Sequence, residues 1–224
     1  MINALPGVDY LFNDADLLQQ ALTHRSAGRS NYERLEFLGD SILNMVVSIR
    51  LFELFPRAPE GDLSRMRARI VRGKTLSEMA LRLGLGRHLN LGEGEMKSGG
   101  FRRSSILADA LEAILGAIYL DGGYDACRKV IEDLCDPLIN DLPPAEELKD
   151  AKTRLQEWLQ ARARSLPTYT LLREEGADHA KMFHVQCGLV DGEARTVAAG
   201  GSRRKAEQMA AGELLKLLTD RKTG

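Results

Sequence analysis

Asn31–Ser41 reads NYERLEFLGDS, and its acids, set among apolar residues, give the first part of the chain its character. On a helix advancing about 100° per residue, Glu33, Glu36 and Asp40 fall on one narrow stripe, at i, i+3 and i+7. Further along, the same stripe carries Leu43 and Val47, while Leu35, Phe37, Leu38, Ile42 and Val46 cover much of the remaining circumference. The acids therefore sit on a helix expected to be mostly buried. Neighbouring carboxylates about 5–6 Å apart repel by roughly 3 kcal/mol per pair at an effective dielectric of 20, and less where water reaches them. A cation or a well-placed arginine must offset that repulsion.

A second stretch, Ser104–Leu120 (SSILADALEAILGAIYL), is apolar except for two acids three residues apart, Asp109 and Glu112. Ser105 and Gly116 flank them on the same stripe, so that face is small and is expected to approach a ligand closely. Packed against the first helix, it would bring four or five carboxylates together without histidine or cysteine, a hard-cation site suited to Mg²⁺ or Mn²⁺. Either acid pair alone reads as an ordinary solvated face, but two pairs on two otherwise apolar helices do not. A diiron carboxylate bundle needs a Glu-x-x-His pair on each of two helices. His24, His88, His179 and His184 show no such spacing. Gly73-Lys74-Thr75 resembles the end of a phosphate-binding loop, but Ala68 stands where the first glycine belongs. Thr23-His24-Arg25-Ser26 has no acid nearby in sequence, so His24 reads as a helix-end or packing residue.

Around these two stretches residues 1–140 read as nearly all helical, with Asp121-Gly122-Gly123 breaking the chain before a last helix to about Asp136. DPLINDLPPAEEL comes next, in which Pro137, Pro143 and Pro144 are expected to stop any helix, marking residues 141–149 as a linker. Residues 150–220 change character. Asp150 caps a helix with Leu155, Trp158 and Leu159 on one face. Three β-favouring stretches follow at 168–173, 182–190 and 193–199, with Asp191-Gly192 as a two-residue hairpin turn between the last two. Ser202 caps a final helix bearing Ala206, Ala210, Leu214 and Leu217. The expected architecture is two domains, an all-α domain and then an α+β domain of order α-β-β-β-α.

Charge divides the same way. Residues 1–148 carry 17 Lys and Arg against 22 Asp and Glu; residues 149–224 carry 14 against 10, and the whole chain nets −1. Ser202-Arg203-Arg204-Lys205 places three cations where a helix already has partial positive charge, which suits a bound anion. In the first domain Arg65, Arg69 and Arg72 share a helical face, and Arg102 and Arg103 precede the acidic helix. All five are candidate phosphate contacts or a plain basic surface. At 224 residues with 44% hydrophobic and 28% charged, the chain is neither disordered nor fibrous. No apolar run approaches the roughly 20 residues that span a bilayer, no export signal opens the chain, and three scattered cysteines form no disulfide framework. A soluble, cytoplasmic protein is expected.

Glu33-Arg34-Leu35-Glu36-Phe37-Leu38-Gly39-Asp40-Ser41 resembles the signature of the ribonuclease III family, and the tail ending Gly201-Ser202-Arg203-Arg204-Lys205-Ala206 resembles a double-stranded RNA-binding domain. The likeness spans essentially the whole chain, departing at Glu207, where many such domains carry lysine. It implies an Mg²⁺-dependent endonuclease (Mn²⁺ a possible substitute) that cuts double-stranded RNA to 5′-phosphate and 3′-hydroxyl ends, with ribosomal RNA precursors and other structured transcripts as substrates. Glu36, Asp40, Asp109 and Glu112 are then the metal-binding carboxylates, Asp40 and Glu112 the least replaceable, and Glu33 lies beside them. Phe37 would pack into the partner subunit of a homodimer. Gln156 and His179 would reach minor grooves, and Arg203, Arg204 and Lys205 would take phosphates. No nucleotide cofactor or membrane partner is implied. The rival reading is a non-catalytic double-stranded RNA-binding protein; a third, a carboxylate metal store, leaves the basic tail unexplained.

Overall fold

The structure, a computed structural model, describes residues 3–177 and 180–220. The chain divides into two compact units, Met1–Pro143 and Pro144–Gly224. Among the described residues no helix is long and apolar enough to cross a membrane.

The first unit is helical: α1 (Ala15–Ala21), α2 (Glu33–Leu54), α3 (Glu60–Val71), α4 (Gly73–Arg82), the short α5 (Glu93–Lys97) and α6 (Ser104–Asn140). Its core is the packing of α2 on α6, closed by α4, with Leu43, Leu51, Leu107, Leu111, Ile114 and Ile118 at most 1% exposed. Gly39 and Gly116 make that packing close. A Cβ on Gly39 would fall on the Glu112 carbonyl, and one on Gly116 on the Leu35 carbonyl. Gly116 therefore admits the backbone of α2, not the ligand expected from the sequence.

α6 is broken at Gly123 (φ 79°, ψ −174°), a conformation glycine adopts readily, as the Asp-Gly-Gly sequence predicts. Beyond the break the helix runs through Pro137 to Asn140. The expected stop at Pro137 does not occur, because Pro137 and Asp133 both lie on the exposed face, where the carbonyl that proline leaves unpaired can meet water. Arg50 fixes this second segment to α2, donating through Nε and Nη2 to Asp136 at 2.9 and 2.7 Å. The expectation of a mostly buried α2 holds for one face only: Phe37 is 78% and Phe52 69% exposed, and Met45 and Ile49 are exposed between them.

The second unit begins with α7 (Ala145–Leu148), a single turn inside the segment expected to be a linker, followed by α8 (Ala151–Gln160), β1 (Thr168–Glu175), β2 (Met182–Gly188), β3 (Arg195–Gly200) and α9 (Arg203–Asp220). The strands form an antiparallel sheet in the order β1-β2-β3, with Thr168 opposite Gly188 and Phe183 opposite Gly200, and with a register shift between Leu171 and Arg173. The β2–β3 connection is longer than the expected two-residue turn. The strands stop at Gly188 and Arg195, and Leu189 N–H closes the loop on the Ala194 carbonyl at 3.0 Å. Gly192 takes a φ of 76° inside it, so its glycine character was needed, though in a wider turn. Both helices cover one sheet face around Leu155, Leu159, Cys187, Ala210, Leu214 and Leu218. On α9, Leu218 is buried and Leu217 only partly so, which shifts the apolar face by one residue from the sequence expectation.

Candidate metal centre and nucleic-acid interface

Glu36 projects from the first turns of α2, and Asp109 and Glu112 from α6. One carboxylate oxygen from each lies within 4.8 Å of the others. The glycine contact puts them there, since Gly39 sits one turn beyond Glu36 and meets the backbone at Glu112. Burial, followed by the charges of Asp40, Asp109 and Glu36, pushes the Glu112 carboxyl up to about 8. Burial and the neighbouring acids likewise raise Glu36. Burial raises Asp109, with His24 and Arg25 pulling it back. Acids crowd one another here as the sequence expects, with Arg25 relieving Glu36 and Asp109 in part and His24 relieving Asp109.

Asp40 stands at the edge of that group. Its carboxylate is exposed and accepts from Asn44 Nδ2 at 2.8 Å, yet its charge reaches Glu112. Glu33 is half exposed and faces Arg25 Nη1 at 3.4 Å. A cavity of about 400 Å³ opens onto Glu36 and Asp109, and its wall includes residues the sequence did not single out, among them Tyr32 and Glu95. His24 also lines it. Its Nδ1 accepts from the Ser26 N–H at 3.1 Å and lies 2.7 Å from Ser26 Oγ, and its ring packs edge-on against Tyr32. The acid that local sequence could not place beside His24 is Asp109, eighty-five positions away. Arg103 lines the cavity and pairs with Glu95 at 2.7 Å. Arg65, Arg69 and Arg72 do not line it; Arg65 pairs with Asp62, and Arg72 Nε donates to Thr75 Oγ1 at 3.1 Å.

In the second unit, Asp150 caps α8 by accepting from Thr153 N–H at 3.0 Å, and Gln156 is exposed one turn later. Ser202 Oγ accepts from Lys205 N–H at 3.2 Å, and Arg203, Arg204 and Lys205 are exposed on the first turn of α9. His179 lies outside the described residues.

Residues 14–138 match the family model "Ribonuclease-III-like", and residues 151–218 match "Double-stranded RNA binding motif". The chain is 56% identical over 94% of its length to Ribonuclease 3 of Dechloromonas aromatica, covering 95% of that protein. It is likewise 56% identical to Ribonuclease 3 of Alcanivorax borkumensis, over 93% of this chain and 92% of that one. Among solved structures, the nuclease domain of ribonuclease III from Campylobacter jejuni superposes with a TM-score of 0.58 at 42% identity, covering 61% of this chain and 93% of that one. A second structure of that domain, described as flexible in the region involved in dimer formation, gives 0.57 at 44% identity over 58% and 92%. With a helical unit that gathers carboxylates and an α-β-β-β-α unit that begins its last helix with three cations, the chain belongs to the ribonuclease III family.

Proposed function

We propose that this double-stranded RNA endoribonuclease works through divalent cations, Mg²⁺ or Mn²⁺, held by Glu36, Asp40, Asp109 and Glu112, and that it acts as a homodimer. The observation that carries the metal reading is the convergence of Glu36, Asp109 and Glu112 with the Glu112 carboxyl at about 8. Oxygen-only donors carrying an excess of negative charge fit a hard divalent cation, and Mg²⁺, which keeps several waters, needs few protein ligands. A bound ion of this kind supplies Lewis acidity, activating water and stabilising the leaving 3′-oxygen. The chain's own part is to hold its carboxylates at fixed spacing on two helices locked at Gly39 and Gly116. Glu33 and Arg25 border the cavity where the scissile strand would lie.

One carboxylate cluster per chain cuts one strand, so cutting a duplex calls for two clusters related by a twofold axis. Phe37 supports the dimer. It is 78% exposed at the rim of an apolar cavity of about 630 Å³ formed with Leu17, Leu35, Leu38 and Leu120, which a partner's Phe37 could fill. In the second unit, Gln156 and His179 read minor grooves while Arg203, Arg204 and Lys205 take phosphates across the narrow major groove, so recognition is by shape. Ribosomal RNA precursors and other structured transcripts in the cytoplasm are the proposed substrates, with 5′-phosphate and 3′-hydroxyl products.

A long uniform RNA duplex, incubated with Mg²⁺, with EDTA, and with Mg²⁺ and the Glu112→Gln variant, tests this reading. Short duplex products are expected only from the intact protein with Mg²⁺. Cleavage that persists in EDTA or in the variant would remove the carboxylates from the mechanism. A shifted but uncut duplex in every lane would make this a binding protein.

A further inference from the structure

Glu207 stands where many double-stranded RNA-binding domains carry lysine, and the structure gives the acid a role. Its side chain is only 14% exposed, and both oxygens are occupied. Oε1 accepts from Arg203 Nε at 3.0 Å and Oε2 from Lys152 Nζ at 2.8 Å. Lys152 Nζ also lies over the Tyr169 ring, 4.2 Å from its centroid. Beside it, Gln208 ties the two helix starts together, accepting from Lys152 N–H at 3.1 Å and donating to Asp150 Oδ1 at 2.9 Å. A carboxylate thus stands among the cations at the starts of α8 and α9. Among the described residues Arg204 and Lys205 make no ion pair, so two of the three cations that open α9 can meet phosphate directly, whereas Arg203 must first leave Glu207.

We propose that Glu207 is a positioning residue that weakens the grip on duplex RNA by holding Arg203, and with it Lys152, as internal partners in competition with phosphate. The proposal rests on the reading of this unit as the duplex-binding part of the chain. Glu207 opposes binding in two ways: its own charge repels the polyanion, and its ion pair with Arg203 must break before that guanidinium reaches an RNA oxygen. The helix clasp does not need the Glu207 charge, since Gln208 already joins α9 to the start of α8 through hydrogen bonds with Lys152 N–H and Asp150 Oδ1. A nuclease that must release its cut duplex gains from such a limit on phosphate contacts.

The test is fluorescence anisotropy with the full chain, in EDTA so that nothing is cleaved, on a duplex of about 24 base pairs, longer than the roughly 16 that one such domain spans. Glu207→Gln keeps the shape and one of the two accepting oxygens while removing the charge. It should bind several-fold tighter at 50 mM KCl. Its dependence of log affinity on log salt should be steeper by roughly one, the increment of one added phosphate contact, so the advantage shrinks about threefold by 200 mM. Arg203→Ala should cost little in the parent protein and cancel most of the gain in the Glu207→Gln background. A purely structural Glu207 would instead lower the melting temperature and leave the salt slope alone. Unchanged or weaker binding, or an unchanged slope, overturns the proposal while duplex binding by the parent protein stands. Failure of the parent protein to bind duplex removes the duplex-binding reading and this proposal with it.

Discussion

Glu112→Gln should make the metal-free protein more stable while abolishing cleavage, an outcome that separates a metal centre from an ordinary solvated acidic face. The Glu112 carboxyl, ordinarily near 4.5, stands at about 8 in the folded chain. Because the native state holds this proton more tightly than the unfolded chain does, the stability it contributes is fully present below pH 4.5. That stability is lost progressively as pH rises toward 8. At pH 7 the loss spans about 2.5 pH units, an upper bound of about 3 kcal/mol at 1.36 kcal/mol per unit, reduced by whatever water reaches the half-buried group. A glutamine is neutral in both states and escapes it. For a unit of this size, a gain of 1–2 kcal/mol raises the midpoint by roughly 5 °C. The assay is thermal unfolding in EDTA from pH 5 to 8.5, followed by an Mg²⁺ titration. Parent protein should lose stability with rising pH and regain it with Mg²⁺, whereas Glu112→Gln should show a flatter pH profile and little response to Mg²⁺. Parallel pH profiles with no rise in midpoint would mean the carboxylates do not feel one another, and the site would have to be withdrawn.

Two further perturbations bear on the same architecture. Gly39→Ala or Gly116→Ala, each placing a Cβ on a facing backbone carbonyl, should force α2 and α6 apart, cost roughly 2–3 kcal/mol in urea unfolding and suppress cleavage disproportionately; full activity would show that the close approach does not set the carboxylate spacing. Phe37→Ala should leave monomer secondary structure unchanged by circular dichroism, since the ring is exposed, but halve the mass in light scattering if the ring holds the dimer; an unchanged mass would place the dimer contact elsewhere.

What sequence revealed and what it hid divide along physical lines. The two acidic stripes, the Gly123 break and the Asp150 cap are local, set by helical spacing and single-residue chemistry, and so could be read without knowing what packs on what. Helical periodicity also treated Phe37 as a core residue, because a side chain facing a partner and one facing the interior leave the same pattern. Gly116 was legible as a place of close approach, but the approaching group, the Leu35 carbonyl, is a matter of tertiary pairing. His24 and Asp109 meet only through the fold. Pro137 misled because its effect depends on whether the orphaned carbonyl can reach water. Glu207 registered as a lost cation, whereas the structure gives it two cationic partners.

The charge division between the units bears on how such a chain approaches its substrate. The catalytic part, residues 1–148, carries five more acids than Lys and Arg, and it brings Glu36, Asp109 and Glu112 together at the site proposed to approach a polyanion. Without cations, that face repels the phosphodiester it would cut, and the glycine contact prevents the carboxylates from spreading to relieve the repulsion. Affinity in the metal-free state should therefore come mainly from residues 149–224, with four more Lys and Arg than acids, and should follow their phosphate contacts in its salt dependence. On the proposed metal reading, divalent cations held there would reverse the sign locally, so that the carboxylates and the RNA would become cooperative ligands of one centre. By linkage, duplex RNA should then raise the apparent affinity for Mg²⁺ by the factor by which Mg²⁺ raises the affinity for RNA. Neutralising Glu112 should weaken that coupling while leaving the C-terminal grip intact.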